Sequence, residues 1–197
     1  MFVVGLPGLA DSGRTAARLL VDFVNAKFFA EYYSSRFPDN LVIEDSGVCR
    51  LPRYEFYESC SSQPNIVVLS GDATIAEEEP EAHYEVFNQI VNFALKLKSR
   101  CIVVLDSIRP RAEEKNAVYG AATKRALASK LESGGAKLFK KNQLPGYAGM
   151  ILGLSSLHGI DGLGILSTTA SLMPDRDAAL NIFKFLVKTF DVKQLRA

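Results

Sequence analysis

The sequence predicts a single α/β domain over residues 1–197, built on a mostly parallel sheet with helices on both faces. Three observations carry that prediction. Residues 2–5, 65–71 and 101–106 are short, uniformly apolar runs, the pattern of strands buried on both faces. Segments with helical spacing of apolar residues alternate with these runs along the chain. No linker, internal repeat or low-complexity stretch divides the 197 residues, and 48% apolar residues fill one core of that size.

Taken in order, residues 2–5 form the first strand. Residues 12–26 follow as a helix with Ala16, Leu19, Leu20, Phe23 and Val24 on one stripe, and Asp11 or Ser12 is its expected N-cap. Strand composition returns at 28–33 and 41–43, and 47–57 reads as an irregular hairpin region. The apolar strand 65–71 runs through the acidic loop Glu77-Glu78-Glu79 into a long helix over 81–98. A strand at 101–106 ends in Asp106-Ser107, and a weaker one covers 118–120. A helix over 124–132 stops at Gly134-Gly135, followed by a strand at 137–139. Residues 146–158 are apolar nearly all round, as in a buried helix. A strand at 162–166 and an amphipathic helix over 176–190, started by Pro174-Asp175, close the chain.

Composition removes several functions. With 23 basic against 22 acidic residues, no basic stripe points to nucleic acid. Three cysteines without C-x-x-C spacing and only two histidines make a metal site unexpected, and reduced thiols fit an intracellular protein. Nothing approaches eighteen unbroken apolar residues, and no basic n-region opens the chain, so neither a membrane span nor a signal peptide is expected and the protein is read as cytoplasmic.

The segment Gly8-Leu-Ala-Asp-Ser-Gly13-Arg14-Thr15 fits the phosphate-loop pattern G-x-x-x-x-G-K-[ST] except at the lysine. Gly8, Gly13, Arg14 and Thr15 would bind the nucleotide in that reading, with Asp106 seconding the metal. Arginine is no equivalent of lysine at a fixed point charge, and Pro7 removes an N–H near the turn. The other reading of these glycines is a tight strand-to-helix turn. Ser155, Ser156, His158 and Asp106 supply the residue types of a hydrolase triad, but no G-x-S-x-G elbow is present. His83 reads as a surface histidine on the long helix. The carboxylate pairs Glu113-Glu114 and Asp175/Asp177 read as a solvated loop and a helix start. No catalytic constellation stands out, and no cofactor is expected.

The order of signatures resembles the proteasome assembly chaperone 2 family, particularly its archaeal members. The residues that carry the resemblance are Gly5-Leu-Pro-Gly8 with Gly13, the strand Ile66-Val-Val-Leu-Ser-Gly71, the Tyr84-containing helix, and Val103-Val-Leu105. They continue with Val118-Tyr-Gly-Ala-Ala-Thr123, Gly149-Met-Ile-Leu-Gly153-Leu, and Met173-Pro-Asp175 before Ala178-Ala179. The resemblance implies a phosphorylase/hydrolase-like three-layer α/β/α fold around a mixed sheet and no established catalytic activity. It further implies a homo-oligomer that assists assembly of proteasome α-subunits through protein–protein contacts. Some members dock by a hydrophobic-Tyr-any tail. This chain reads Leu195-Arg196-Ala197, with arginine where that tyrosine would stand.

Expected partner contacts are exposed aromatic and basic residues, namely Arg53, Tyr54 and Tyr57 in one segment and Arg109 and Arg111 in another. Two alternatives stay open. One is an enzyme of the same fold, a nucleotide binder or a hydrolase or phosphorylase, using residues 8–15. The other is a structural oligomer unrelated to the proteasome.

Overall fold

A computed structural model describes residues 1–60, 62–75, 79–109, 114, 117–140 and 143–194. The chain opens with β1 (Phe2–Val4), a 3₁₀ turn (Leu9–Asp11) and α1 (Ser12–Phe23). β2 (Lys27–Tyr32), the short ribbon of β3 (Val42–Ile43) and β4 (Cys49–Arg50), and β5 (Tyr54–Ser59) follow. Next come β6 (Ser62–Gln63), β7 (Ile66–Gly71), α2 (Pro80–Lys96) and β8 (Cys101–Ile108). The second half holds β9 (Val118–Ala122), α3 (Arg125–Ser133), β10 (Lys137–Leu138) and α4 (Gly146–Leu157). It ends with β11 (Asp161–Thr168), α5 (Arg176–Thr189) and β12 (Lys193–Gln194).

Eight strands form one mixed sheet in the order β10-β9-β11-β8-β1-β7-β5-β2. Its centre, β11-β8-β1-β7, is parallel, while β9 joins β11 and β5 joins β7 in antiparallel register. The central strands are apolar throughout because both of their faces are covered. Phe2 and Val4 of β1, with Ile102 and Val104 of β8, pack under α2 and α4. Val3, Val103 and Leu105 point the other way, under α1, α3 and α5. Period-2 alternation thus feeds two cores, one on each side of the sheet, and the three-layer arrangement follows.

Two local expectations are corrected. Residues 47–57 are not wholly irregular: Tyr54–Ser59 is a six-residue strand of the main sheet, paired with β7 and β2. Tyr54 and Phe56 alternate inward as strand residues should, and buried Glu55 breaks the apolar pattern because arginines accompany it. At the start of α1 neither expected cap acts as one. Ala10 and Asp11 take left-handed φ values of 53° and 51°, and the Ser12 hydroxyl donates to Ala10 O at 3.3 Å. Asp175 does cap its helix, accepting from the Ala178 N–H at 3.0 Å.

Candidate functional site

α1, which follows β1, and α2, which follows β7, cover opposite faces of the sheet. That divergence opens a crevice outside the C-terminal ends of the parallel strands, the usual place for a site in an open α/β sheet. Here it is a cleft of about 790 Å³ between the loop after β1, the segment after β7, the end of β8 and the start of α4. Leu6, Ile75, Phe87 and Leu144 supply apolar wall, and Asp106 and Tyr147 lie within it.

The glycines of the N-terminal loop are explained by how closely it approaches β8. A Cβ on Gly8 would lie 2.8 Å from Asp106 Oδ1, and one on Gly13 would lie 2.2 Å from Leu105 O and 2.6 Å from the Tyr147 hydroxyl. Tyr147 reaches from α4 to donate toward Leu105 O and toward Leu6 O at 3.3 Å, tying loop and strand together. Arg14 turns to Asp11, donating from Nε and Nη2 to Oδ2 at 2.9 and 2.6 Å. Thr15 is half-buried on α1. The neighbours of this turn are therefore a carboxyl and a backbone carbonyl, and its one cation is already paired.

Asp106 accepts from the Ser107 N–H, 2.8 Å from Oδ1, and from the Tyr147 hydroxyl. Burial pushes its carboxyl up to about 7, with the Ser107 N–H and the Tyr147 hydroxyl pulling back only part of the way. His83 is half-buried rather than a plain surface residue: its ring stands edge-on to Phe87 at 5.6 Å and lines the cleft. The hydrolase residues do not come together. The Ser155 hydroxyl donates to Ile151 O at 2.6 Å, and His158 Nε2 lies 2.7 Å from Asn88 Oδ1 at the far end of α4. Asp175 serves its helix start and Thr169, and Glu114 accepts from Lys137 Nζ at 2.6 Å. Among the described residues no group of acidic, histidine or cysteine side chains could hold a metal ion. In the same residues no helix is long and apolar enough to cross a membrane.

The expected contact residues divide sharply. Tyr54 offers no outer surface to a partner protein, being 0% exposed with its ring 4.6 Å from Phe37. As an inward-facing residue of β5, it belongs to the core. Arg53 is locked in place: Nη2 donates to Glu55 Oε1 at 2.8 Å, Nη1 donates to Glu31 Oε2 at 2.9 Å, and the guanidinium lies over Phe28. Tyr57 donates to Glu55 Oε2 at 2.7 Å, and Arg18 donates to the same oxygen at 2.7 Å. Burial alone would raise the Glu55 carboxyl, but Tyr57, Arg53 and Arg18 hold it below its ordinary value. Arg109 is exposed at the rim of the cleft, and Arg111 lies outside the described residues, as do Leu195, Arg196 and Ala197.

Sequence reasoning missed most of an exposed apolar surface, of which only Leu51 falls in the expected contact segment 50–57. Leu41, Ile43, Val48 and Leu51, on and beside the β3–β4 ribbon, are 61%, 70%, 60% and 60% exposed. The ribbon is tethered by Arg50, which donates to Asp72 just after β7 at 2.5 Å and to Glu44 at 2.9 Å. Phe28 is half exposed on β2, the edge strand of the sheet. The available signal was an apolar triplet, Leu41-Val42-Ile43, in a polar stretch with no helix beside it to cover it.

Comparison with known proteins places these features in context. The model of the PAC2 family matches residues 2–196. An uncharacterised protein of Methanocaldococcus jannaschii is 28% identical over 196 residues, covering 98% of this chain and 74% of that protein. The crystal structure of Pyrococcus furiosus PbaB, described as an archaeal proteasome activator, superposes with a TM-score of 0.87 at 25% identity, covering 96% of this chain and 83% of that one. P. furiosus PbaA, described as an archaeal homolog of proteasome-assembly chaperone, gives 0.81 at 25% identity, covering 95% and 76%.

Proposed function

This chain belongs to the PAC2 family, and on that premise we propose that it is a non-enzymatic chaperone-like protein that assists assembly of proteasome α-subunits through protein–protein contacts. It works as a homo-oligomer in the cytoplasm and holds its partner by surface complementarity until assembly proceeds. The observation that carries this reading is the likeness over nearly the whole chain to PbaB and PbaA, the one described as a proteasome activator and the other as a proteasome-assembly chaperone homolog.

Two surfaces are assigned to the partner. The ribbon residues Leu41, Ile43, Val48 and Leu51 present apolar side chains beyond what a polar loop needs. Arg109 adds an exposed cation at the cleft rim. Arg53 and Tyr57 are poor probes of the contact, because changing them disturbs the Glu55 cluster inside the protomer.

Binding of purified protein to immobilised proteasome α-subunits tests the proposal. Ile43→Asp and Arg109→Glu are each expected to weaken it about tenfold or more, at unchanged secondary structure and oligomer size. Wild-type affinity in both variants would remove these surfaces from the contact.

A further inference from the structure

We propose that the cleft outside the C-terminal ends of β1, β7 and β8 binds a small organic ammonium, a primary amine carried on a short apolar stem. The inference stands apart from the proteasome reading and uses residues that reading leaves idle.

Shape comes first. A cleft of about 790 Å³ is in the range of small-molecule sites, and Leu6, Ile75, Phe87 and Leu144 give it the apolar wall such sites have. Three of the polar side chains that line it, Asp106, Tyr54 and Tyr147, can accept further hydrogen bonds. Asp106 accepts from the Ser107 N–H and the Tyr147 hydroxyl, both neutral donors, and no cationic side chain pairs with it among the described residues. Tyr54 is among the residues around the cleft, and its hydroxyl is buried beneath the wall with no hydrogen-bond partner among the described residues. A buried hydroxyl left this way calls for a missing partner. The Tyr147 hydroxyl has one proton to share among Leu105 O, Leu6 O and the Asp106 carboxyl, and its oxygen can still accept. An ammonium carries three donors and the charge that Asp106 lacks. A phosphate or carboxylate placed there would face the Asp106 carboxyl, with Arg109 at the rim the one cationic side chain among the described lining residues.

The other charged groups around the site are accounted for. His83 stands on the α2 wall against Phe87, Arg109 sits exposed at the rim, and Asp11 lies close enough to Tyr147 to act on it. None is a counter-ion of Asp106. Because the Asp106 carboxyl titrates near 7, an arriving ammonium must hold it ionised, and binding below that pH releases a proton.

The test is calorimetry of the full chain with three probes of one shape: phenethylammonium, 2-phenylethanol and 3-phenylpropionate. Phenethylammonium is expected to bind one-to-one and tighter than the other two. Its affinity should rise about tenfold from pH 6 to pH 8, as the carboxyl goes from mostly neutral to mostly ionised. At pH 6 the heat should vary with buffer ionisation enthalpy in the sense of about one proton released. Asp106→Asn should abolish the pH dependence and weaken the amine at least tenfold, and Tyr54→Phe should weaken it several-fold. The proposal is overturned if the wild-type protein binds the three probes equally, or binds the amine with the same affinity at both pH values. Full amine affinity in Asp106→Asn would overturn it as well.

Discussion

Asp106 shows how one side chain can be plain in sequence and opaque in environment. The aspartate at the end of an apolar strand is visible at once, but its setting depends on Gly8 and Tyr147, which lie far apart in the chain. The same holds for Gly8 and Gly13: their spacing imitates a phosphate loop, and the contacts that require them come from β8 and α4. Arg14, the residue that spoils the motif, pairs with Asp11 three positions away, a contact that helical spacing makes legible. Burial raises the folded carboxyl of Asp106 to about 7 from an ordinary value of 3.8, so the folded state holds its proton more tightly than the unfolded state. Its contribution to stability is complete below about pH 4 and is lost as pH rises through about 7. Asp106→Asn removes that titration. Relative to wild type the variant is expected to gain up to about 4 kcal/mol between pH 4 and pH 8, read from urea unfolding at both. A change below about 1 kcal/mol would show that the carboxyl is better solvated than its burial implies.

At the scale of elements, most of the fold can be read from periodicity. The helical stripe of α5, the all-round apolar composition of α4 and the uniform runs of β1, β7 and β8 each answer to how many of their faces are covered. β5 escaped that reading because its pattern contains a buried charge. Glu55 is 5% exposed and accepts from Arg18 of α1, Arg53 just before β5 and Tyr57 of β5, so three donors replace the apolar partner that a pattern search expects. Removing the carboxylate leaves two guanidinium groups facing each other across its site. Glu55→Ala is expected to cost about 2 kcal/mol at pH 7, moderated because Arg18 remains well solvated. The folded carboxyl lies below its ordinary value of 4.5, so its benefit is present above that pH and fades as pH falls through the folded value. The deficit of Glu55→Ala should therefore shrink in acid. A deficit that stays constant from pH 7 to pH 3 would assign it to lost packing instead.

At the scale of the whole molecule, the order of motifs carried more than any single motif, and the family match over residues 2–196 agrees with that order. The mixed sheet was legible only through the resemblance, since strands at its two ends reverse direction without a local signal. The partner surface was the least legible feature. Tyr54 fits the composition of a contact and is core, whereas Ile43 passes as an ordinary strand residue and is 70% exposed. Aromatic and basic composition names interface types, but only the packed sheet shows which of them remain outside. The proposed role requires that this chain engage proteasome α-subunits. That engagement is measured by size-exclusion chromatography with light scattering on this chain mixed with purified α-subunits. A complex of defined mass that is lost on Ile43→Asp is expected; separate elution of the wild-type chain and the α-subunits at roughly tens of micromolar would rule the engagement out.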